Sequence, residues 1–258
     1  MSNRQKGRAV LVTGGSRGIG RAAALGLAED GAAFVGVHYS SNEEAALTTV
    51  REIEGYGAKA AAIRADLRVN PAAGARKIAE LFCEGARKHV GEARIDVLLN
   101  NAGIDAHKSL EETDEQTYDA LLAVNLKAPF FLVKELLPIF ANGGRIINMS
   151  SAYTRLAAPK HAAYAAAKGG LNTLTLALAA DLGRKNVTVN GVAPALIETD
   201  INAAWLTSSG AREMVKAASV LSRVGQPGDV VDVIRFLASD ESRWITGQII
   251  EVSGGTRI

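Results

Sequence analysis

Cysteine and aromatic residues are scarce in this chain of 258 residues, and the net charge is small. The single cysteine, Cys83, excludes an internal disulfide and a cysteine-rich structural zinc site, so no metal is predicted. Lysine and arginine number 29 against 27 aspartate and glutamate residues, a net charge of +2. Such a balance lacks the clustered basic excess that nucleic-acid binding requires, so no nucleic-acid partner is predicted.

Long apolar runs are also missing. The basic start of the chain is followed by a four-residue apolar run at 9–12, which is too short for the core of a signal peptide. No stretch approaches the roughly 20 apolar residues of a membrane span. The sequence therefore predicts a cytoplasmic protein without a membrane partner. Apolar residues still make up 48% of the chain, which is enough for a packed core.

Short apolar runs alternate with helical patterns along the whole chain. The runs lack polar alternation, which is typical of parallel strands buried on both faces. The predicted strands are 9–12, 33–37, 60–65, 95–99, 145–149, 187–192 and 248–252, and the helical stretches between them include 21–29, 43–56, 72–88, 118–140 and 162–183. This order predicts an α/β fold, one doubly wound domain over 1–258 with a parallel sheet and helices on both faces.

The segment 195–221 interrupts this alternation. It contains Thr199, Trp205 and the turn-like sequence Thr207-Ser208-Ser209-Gly210. Long excursions from a compact core are often active-site lids, and a pair of surface or subunit-packing helices is the alternative. We predict a substrate lid over 195–221.

A glycine-rich segment lies between the first predicted strand and a helix. It reads Thr13-Gly14-Gly15-Ser16-Arg17-Gly18-Ile19-Gly20. Glycines permit a tight turn and a close approach of backbone to phosphate, and the N-terminus of the following helix offers free N–H groups. The strand before and the helix after are the context that this motif needs. The segment is therefore predicted to bind the pyrophosphate of a dinucleotide.

The residues after the second predicted strand favour NADP(H) over NAD. The chain there reads Val37-His38-Tyr39-Ser40-Ser41-Asn42, and the first acid is Glu43, at the start of the next helix. NAD sites usually place an acid in this region to hold the ribose hydroxyls. Here no carboxylate would repel a 2′-phosphate. Ser40 and Ser41 can donate hydrogen bonds to that group, and Arg17 can supply positive charge.

A tyrosine and a lysine four residues apart predict acid–base chemistry. Their spacing puts Tyr164 and Lys168 on one helix face. A phenol with a pKa near 10 is a poor proton donor or acceptor at neutral pH, and a nearby ammonium lowers that pKa. Ser151 follows a predicted strand, where its hydroxyl can hold a carbonyl oxygen. Asn125 lies inside a helical pattern, and a functional and a purely structural role are both open for it.

These motifs occur in the order typical of the short-chain dehydrogenase/reductase family, which the chain resembles over essentially its whole length. They are residues 13–20, Asp66-Leu67, Asn100-Asn101-Ala102-Gly103, Asn125, Ser151, Tyr164 and Lys168. The resemblance implies a seven-stranded Rossmann-type sheet. It also implies hydride transfer between a nicotinamide and a carbonyl or secondary alcohol carbon.

The resemblance further implies a role for each residue. Tyr164 is the expected proton donor in reduction, Lys168 holds the nicotinamide ribose and tunes Tyr164, and Ser151 orients the substrate oxygen. Asn125 positions a water of the proton relay. The remaining expected cofactor contacts are Asp66 and Leu67 at the adenine, the Asn101-Ala102-Gly103 backbone at the adenosine ribose, and Pro194, Ile197 and Thr199 at the carboxamide and phosphates.

Closer similarity connects the chain with 3-oxoacyl-acyl-carrier-protein reductases. It is visible in the C-terminal segments 222–229, 236–240, 245–248 and 252–255, and it implies a homotetramer. Two positions depart from the pattern. Ala195 replaces a usual glycine, which is tolerable unless its φ is positive. Asn142 stands where one of two basic residues usually meets the carrier protein, with Lys185 as the other.

The leading hypothesis is an NADPH-dependent carbonyl reductase acting on a small-molecule carbonyl or an acyl thioester, with an acyl carrier protein as a candidate partner. The alternatives are an NAD(P)-dependent sugar, polyol or other alcohol dehydrogenase of specialised metabolism, and a non-catalytic NADP(H)-binding protein. The candidate substrate-pocket residues are Asp105, His107, Thr154, Arg155, His161, Trp205 and Leu206. Loop polarity is the alternative for His107 and Arg155, and subunit packing for Trp205.

Overall fold

The computed structural model describes residues 3–157 and 159–257. Its centre is a seven-stranded sheet in the order β3-β2-β1-β4-β5-β6-β7, with every neighbouring pair parallel. The strands are β1 Ala9–Val12, β2 Phe34–Tyr39, β3 Lys59–Arg64, β4 Ile95–Asn100, β5 Phe140–Met149, β6 Thr188–Pro194 and β7 Ile249–Val252. The strand order reverses between β1 and β4, and sheets of this kind bind ligands at the carboxyl ends on either side of such a point.

Helices cover both faces of the sheet, as predicted. They are α1 Gly18–Glu29, α2 Glu43–Gly55, α3 Pro71–Val90, α4 Glu115–Leu122, α5 Ala128–Leu136, α6 Ala162–Leu182, α7 Asp200–Leu206, α8 Ala211–Ala218 and α9 Pro227–Ala238. Helices α7 and α8 occupy the segment that interrupts the alternation. None of the helices that the structure describes is both long and apolar enough for a membrane crossing.

Two apolar layers hold the helices to the sheet. Alternate residues of β1 point to opposite layers, because successive side chains of a strand face opposite sides. Val10 and Val12 belong to the layer that contains Leu27 of α1, while Leu11 belongs to the layer that contains Phe82 of α3. All five side chains are fully buried. This double burial explains why the strand sequences are continuously apolar.

The single helix predicted over 118–140 is wrong. Helix α4 ends at Leu122, a π-helical turn spans Ala123–Lys127, and α5 ends at Leu136. In the π-helical turn the N–H of Ala128 donates to the carbonyl of Ala123, five residues back. Pro129 follows at once, and a proline has no N–H to restore the regular ladder.

The end of this segment differs from the prediction as well. After α5 a 3₁₀ turn covers Leu137–Ile139 and includes Pro138. Phe140 then adopts an extended backbone and pairs with Ile95 of β4. Strand β5 therefore begins five residues before the predicted start at 145.

Candidate active site

The four predicted catalytic residues lie at the carboxyl end of the sheet on three different elements. Ser151 follows β5 and caps a 3₁₀ turn over Ala152–Thr154. Tyr164 and Lys168 lie on α6, and Asn125 lies in the π-helical turn between α4 and α5. Because π-helical turns inside helices are frequent at functional sites, the position of Asn125 favours a functional role.

Lys168 is the most deeply buried charged group of the site. Its side chain is 3% exposed, and Nζ donates a 2.7 Å hydrogen bond to the carbonyl oxygen of Met149. The same Nζ lies 5.7 Å from the centre of the Tyr164 ring. The end of β5 thus fixes the lysine beside the phenol.

The pKa of the Tyr164 phenol is raised, which is opposite to the shift expected from the sequence. Desolvation is the main cause, the negative charge of Asp105 adds to it, and a hydrogen bond with Ser151 opposes it. Burial also lowers the pKa of Lys168 to about 8, with Asp105 opposing that shift. Tyr164 is therefore protonated at neutral pH in the protein alone, which is the state a proton donor needs.

Asn125 is held by its amide nitrogen and leaves its oxygen unpaired. Nδ2 donates to the carbonyl oxygens of Ile104 at 2.9 Å and Leu121 at 3.0 Å. Among the described residues, the buried Oδ1 has no hydrogen-bond partner. A Cβ added to Gly103 would lie 2.9 Å from this oxygen and 3.6 Å from Nζ of Lys168. Glycine at 103 thus keeps open the space between an unpaired acceptor and the lysine.

The glycine-rich segment forms a backbone cradle at the N-terminus of α1. Gly14 and Gly18 both have positive φ, at 63° and 55°. A Cβ on Gly20 would lie 2.2 Å from the carbonyl oxygen of Gly14, so only glycine allows this close turn. Across the cradle, the side chain of Thr199 lies 3.6 Å from where a Cβ of Gly18 would be. Arg17 is exposed and Ser16 is half-buried at the rim.

The turn after β4 is joined directly to this cradle. The side chain of Asn101 donates to the carbonyl oxygens of Thr13 and Gly14, at 2.9 and 3.1 Å. The hydroxyl of Thr13 in turn accepts from the backbone N–H groups of Asn101 and Ala102, both at 2.9 Å. The amide of Asn101 therefore shapes the cradle, while the backbone of 101–103 runs beside it.

His38 supports the cradle from the second strand, a role that sequence reasoning missed. Its Nδ1 accepts from the N–H of Gly14 at 3.2 Å, and its Nε2 lies 3.2 Å from the carbonyl oxygen of Ala65. Desolvation lowers its pKa to about 4, so the ring is neutral at neutral pH. A neutral ring accepts at one nitrogen and donates at the other, which satisfies both contacts. Sequence position alone indicated only a strand end.

The residues predicted at the adenosine end lie along the ends of β2 and β3. Ser40 and Ser41 are exposed directly after β2. Asp66 is exposed after β3 and accepts from the N–H of Arg68 at 2.7 Å, while Leu67 is buried. Beside them lies a cleft of about 280 Å³, lined by Ser16, Arg21, Asn42, Glu44, Ala45 and Thr48. The hydroxyl and amide groups and the guanidinium of Arg21 at its rim suit a phosphate substituent, whereas the carboxylate of Glu44, which also lines the cleft, opposes one.

The predicted contacts after β6 lie on the opposite side of the cradle. Pro194 ends β6, Ile197 is buried and pairs with Gly225, and Thr199 precedes α7. The backbone φ of Ala195 is not positive. An alanine can therefore replace the usual glycine at this position without backbone strain.

The candidate pocket residues divide into two groups. Asp105, His107 and His161 lie together near Tyr164, with His161 Nδ1 3.1 Å from Asp105 Oδ1. Tyr153, which sequence reasoning missed, packs against both His161 and Tyr164.

The other candidate residues do not belong to this cluster. Arg155 binds Glu251 and the carbonyl oxygens of Thr256 and Arg257, so it anchors the C-terminal segment. The hydroxyl of Thr154 donates to the carbonyl of Ser151 at 2.8 Å. On α7, Leu206 is buried and Trp205 is 40% exposed.

Comparisons with known proteins place this geometry in a family. A sequence model described as enoyl-(acyl carrier protein) reductase matches residues 14–257. The chain is 37% identical to a probable tetrahydroxynaphthalene reductase of Zymoseptoria tritici, over 98% of this chain and 96% of that protein. The chain belongs to the short-chain dehydrogenase/reductase family. As a member of that family it is an oxidoreductase that acts on a keto or hydroxyl group.

Solved structures of other short-chain dehydrogenases/reductases superpose closely on this chain. The angucycline C-6 ketoreductase LanV, solved with bound NADP, is 39% identical with a TM-score of 0.94, over 100% of this chain and 98% of that one. The reductase LugOII, described as catalysing keto-reduction at C1 during lugdunomycin biosynthesis, is 42% identical with a TM-score of 0.93, over 99% and 100%. Within the described residues, no cluster of three potential metal ligands occurs.

Proposed function

We propose that this protein is an NADPH-dependent ketoreductase that converts the ketone of a small aromatic molecule to a secondary alcohol. The observation that carries the proposal is that the Tyr164–Lys168 pair lies beside the turn 101–103, which is itself hydrogen-bonded to the backbone cradle of residues 13–20. The glycine turn, the unpaired Asn125 oxygen and the cleft beside Ser40 all fit a bound NADP(H). When bound, this cofactor supplies the hydride.

Each residue of the set has a distinct task in this proposal. Ser151 donates a hydrogen bond to the substrate carbonyl oxygen, and Tyr164 delivers a proton to that oxygen. Lys168 replaces the lost proton by way of a water held at the unpaired oxygen of Asn125. Lys168 suits this task because its pKa of about 8 makes its proton easier to give than that of an ordinary lysine.

The cofactor end of the site is proposed to be read by the residues around the cradle. Arg17 and the hydroxyls of Ser40 and Ser41 bind the 2′-phosphate. The carboxylate of Asp66 and the backbone beside Leu67 meet the adenine, and Asn101-Ala102-Gly103 meets the adenosine ribose. Pro194, Ile197 and Thr199 close the opposite side, where Thr199 already faces Gly18. Bound NADP in the similar LanV structure supports this choice of cofactor.

An aromatic ketone is favoured over an acyl thioester as the substrate. The names of two relatives carry fused-ring aromatic compounds, a tetrahydroxynaphthalene and an angucycline. At the carrier-protein positions, Lys185 is exposed, but Asn142 accepts a 2.9 Å hydrogen bond from Asn186 and brings no charge. The 3-oxoacyl thioester and an acyl carrier protein remain the second candidates because the matching family description names such a carrier.

The surroundings of the site complete the proposal. Helices α7 and α8 form a lid over 195–221, anchored by the buried Leu206 and carrying the exposed Met214. We further propose that the enzyme is cytoplasmic, because the lone cysteine suits a reducing compartment. The resemblance to 3-oxoacyl-acyl-carrier-protein reductases implies a homotetramer, and exposed apolar side chains such as Trp244 are consistent with subunit contacts.

The test is oxidation of NADPH by the purified protein, with NADH in parallel, against a panel of carbonyl compounds. The panel contains 1-tetralone and other cyclic aromatic ketones, quinones, a β-ketoester, ketoses and an acetoacetyl thioester. We expect turnover of aromatic ketones with a preference for NADPH. Turnover confined to the thioester would replace the aromatic ketone by the carrier-protein substrate. Tight NADPH binding without any turnover would favour the non-catalytic alternative.

A further inference from the structure

A row of four rings begins at the proposed proton donor. The Tyr153 ring meets the Tyr164 ring edge-on, with centroids 6.3 Å apart. The His161 ring lies against Tyr153 at 4.8 Å, and His107 meets the edge of His161 at 5.2 Å. The chain has only four histidines and five tyrosines, yet two of each meet here. Because these side chains are scarce and come from separate segments of the chain, their grouping beside Tyr164 points to a function.

Asp105 fixes the hydrogen-bonding character of His161. The Asp105 oxygen lies 3.1 Å from Nδ1, and a carboxylate only accepts, so Nδ1 must carry the hydrogen. In the neutral ring Nε2 is then an acceptor. Among the residues that the structure describes, Nε2 has no hydrogen-bond partner, and it is not sealed inside the protein. This acceptor is therefore accessible to a molecule that approaches the ring row.

The charge of Asp105 also shifts the pKa values of neighbouring side chains. It contributes to raising the pKa of Tyr153 and of Tyr164, and it opposes the lowering of the pKa of Lys168. Asp105 thus lies close to all three groups. The side chain of His161 is 14% exposed and that of Asp105 is 35% exposed, so the pair is partly accessible rather than enclosed in the core.

We propose that His161, oriented by Asp105, is a specificity residue that accepts a hydrogen bond from a phenolic hydroxyl of the substrate. The ring faces of Tyr153 and His161 supply the surface on which a flat aromatic molecule packs. His161 binds the substrate directly, and Asp105 is a positioning residue. This inference rests on the proposed ketoreductase function for its physiological meaning, and it narrows the substrate class to hydroxylated aromatic ketones.

The first experiment measures binding alone, so that it does not depend on turnover. The full chain saturated with NADP⁺ is titrated by calorimetry with 2-naphthol and with 2-methoxynaphthalene, which differ in the hydrogen that Nε2 would accept. We expect about tenfold tighter binding of the naphthol by the natural chain. His161→Phe keeps a ring against Tyr153 and should abolish the preference, and Asp105→Asn should weaken it. His89→Phe makes the same replacement in the last turn of α3, at a ring stacked on Phe34 outside the site, so it is the matched control and should retain the preference.

A parallel measurement follows the reduction of 1-tetralone and of its 5-, 6-, 7- and 8-hydroxy derivatives by NADPH and compares their specificity constants. We expect at least one hydroxylated ketone to exceed 1-tetralone by about tenfold, and His161→Phe to remove that advantage by weakening substrate binding rather than by slowing the bound complex. Equal binding of the two naphthalenes by the natural chain, or a preference that survives in His161→Phe, overturns the inference even if ketones are reduced. A lost preference without any ketone reduction supports the inference and rejects the proposed function.

Discussion

The groups around Tyr164 shift its pKa in opposite directions. Desolvation and the charge of Asp105 raise the phenol pKa, while Ser151 lowers it. Lys168 is close, yet it is itself desolvated, and its pKa falls to about 8. The phenol is consequently kept as a neutral acid, ready to donate. The sequence predicted that Tyr164 and Lys168 lie close together, as the structure shows, but it predicted a lowered rather than a raised phenol pKa, because spacing along a helix carries no information about burial.

Replacing Tyr164 by phenylalanine tests its role as the proton donor. The variant should bind NADPH as tightly as the natural chain, because the ring is retained, and should lose about 10²- to 10⁴-fold in kcat. Stopped-flow or steady-state NADPH oxidation measures the loss, and fluorescence of the bound cofactor measures binding. Tyr56→Phe, at a side chain that is 49% exposed, is the control and should be silent. Unchanged turnover in Tyr164→Phe would contradict the assignment.

Gly20 is a position where a single methyl group should be costly. A Cβ there would meet the Gly14 carbonyl oxygen at 2.2 Å and the Asn101 side chain at 2.3 Å. We expect Gly20→Ala to destabilise the fold by about 3 kcal/mol and to weaken NADPH binding, because the cradle must widen. Urea unfolding and a cofactor titration measure the two effects.

Gly169 provides the matched control within a helix. Nothing lies within 4 Å of the position that its Cβ would take, midway along α6. Gly169→Ala should therefore stabilise the protein by up to about 1 kcal/mol, through helix propensity alone. If both alanine variants unfolded at the same urea concentration, the close packing described for the cradle would be wrong.

At the scale of elements, β2 and β3 are linked to the glycine cradle through His38. The folded protein holds this ring neutral with a pKa of about 4, whereas an unfolded histidine titrates near 6.5. Between these two pH values the unfolded chain binds more protons than the folded one. Stability must therefore fall as the pH drops through this window, by about 3 kcal/mol at its lower end.

A variant separates this effect from that of the other groups. In His38→Asn the loss of unfolding free energy between pH 7 and pH 4 should shrink by about 3 kcal/mol relative to the natural chain. The lowered pKa values of Asp114 and Asp229, at about 2, stabilise the fold at neutral pH, and this stabilisation is lost mainly below pH 4 and equally in both proteins. Urea unfolding at several pH values gives the slope directly. Parallel slopes for the two proteins would show that His38 is not the group responsible.

The strands are the elements that sequence patterns located well. The bounds of β1, β3, β4 and β7 were predicted to within one residue, because a short apolar run between turn residues marks a strand whether it is fully or partly buried. The interruption between α4 and α5 was missed, since the apolar pattern continues through it. The interruption is a backbone hydrogen bond that spans five residues instead of four, just before Pro129, and it does not alter the apolar pattern. Element boundaries set by single hydrogen bonds are invisible to periodicity.

For the whole molecule, the parallel topology brings together residues that lie far apart in the chain. The ends of β4, β5 and β6 place Gly103, Ser151 and Pro194 along one edge, which the order of motifs along the sequence already implied. The ring row beside that edge could not be predicted, because Tyr153 and His161 belong to an irregular connection between β5 and α6. Specificity therefore depends on the part of the chain with the least pattern.

The surface of the single chain predicts its assembly. Trp244 follows α9 in the C-terminal region and is 96% exposed, and Leu176 on α6 is 55% exposed. An indole left in water forfeits the burial of a large apolar surface, so we expect these side chains to be covered by neighbouring subunits. The family resemblance implies four subunits, so light scattering after gel filtration should give a mass four times that of the 27.0 kDa chain.

The Trp244→Glu variant tests which surface makes the assembly. A charge at this position should be buried without a partner in the tetramer, so the assembly should dissociate into smaller species, with a lower thermal midpoint that depends on protein concentration. Val69→Glu, at a side chain that is 85% exposed on the loop before α3, is the control and should remain a tetramer. A natural chain that runs as a monomer would contradict the tetramer itself. A tetramer that tolerates glutamate at 244 would instead move the interface to another face, with Phe130 on α5, 46% exposed, as the next side chain to change.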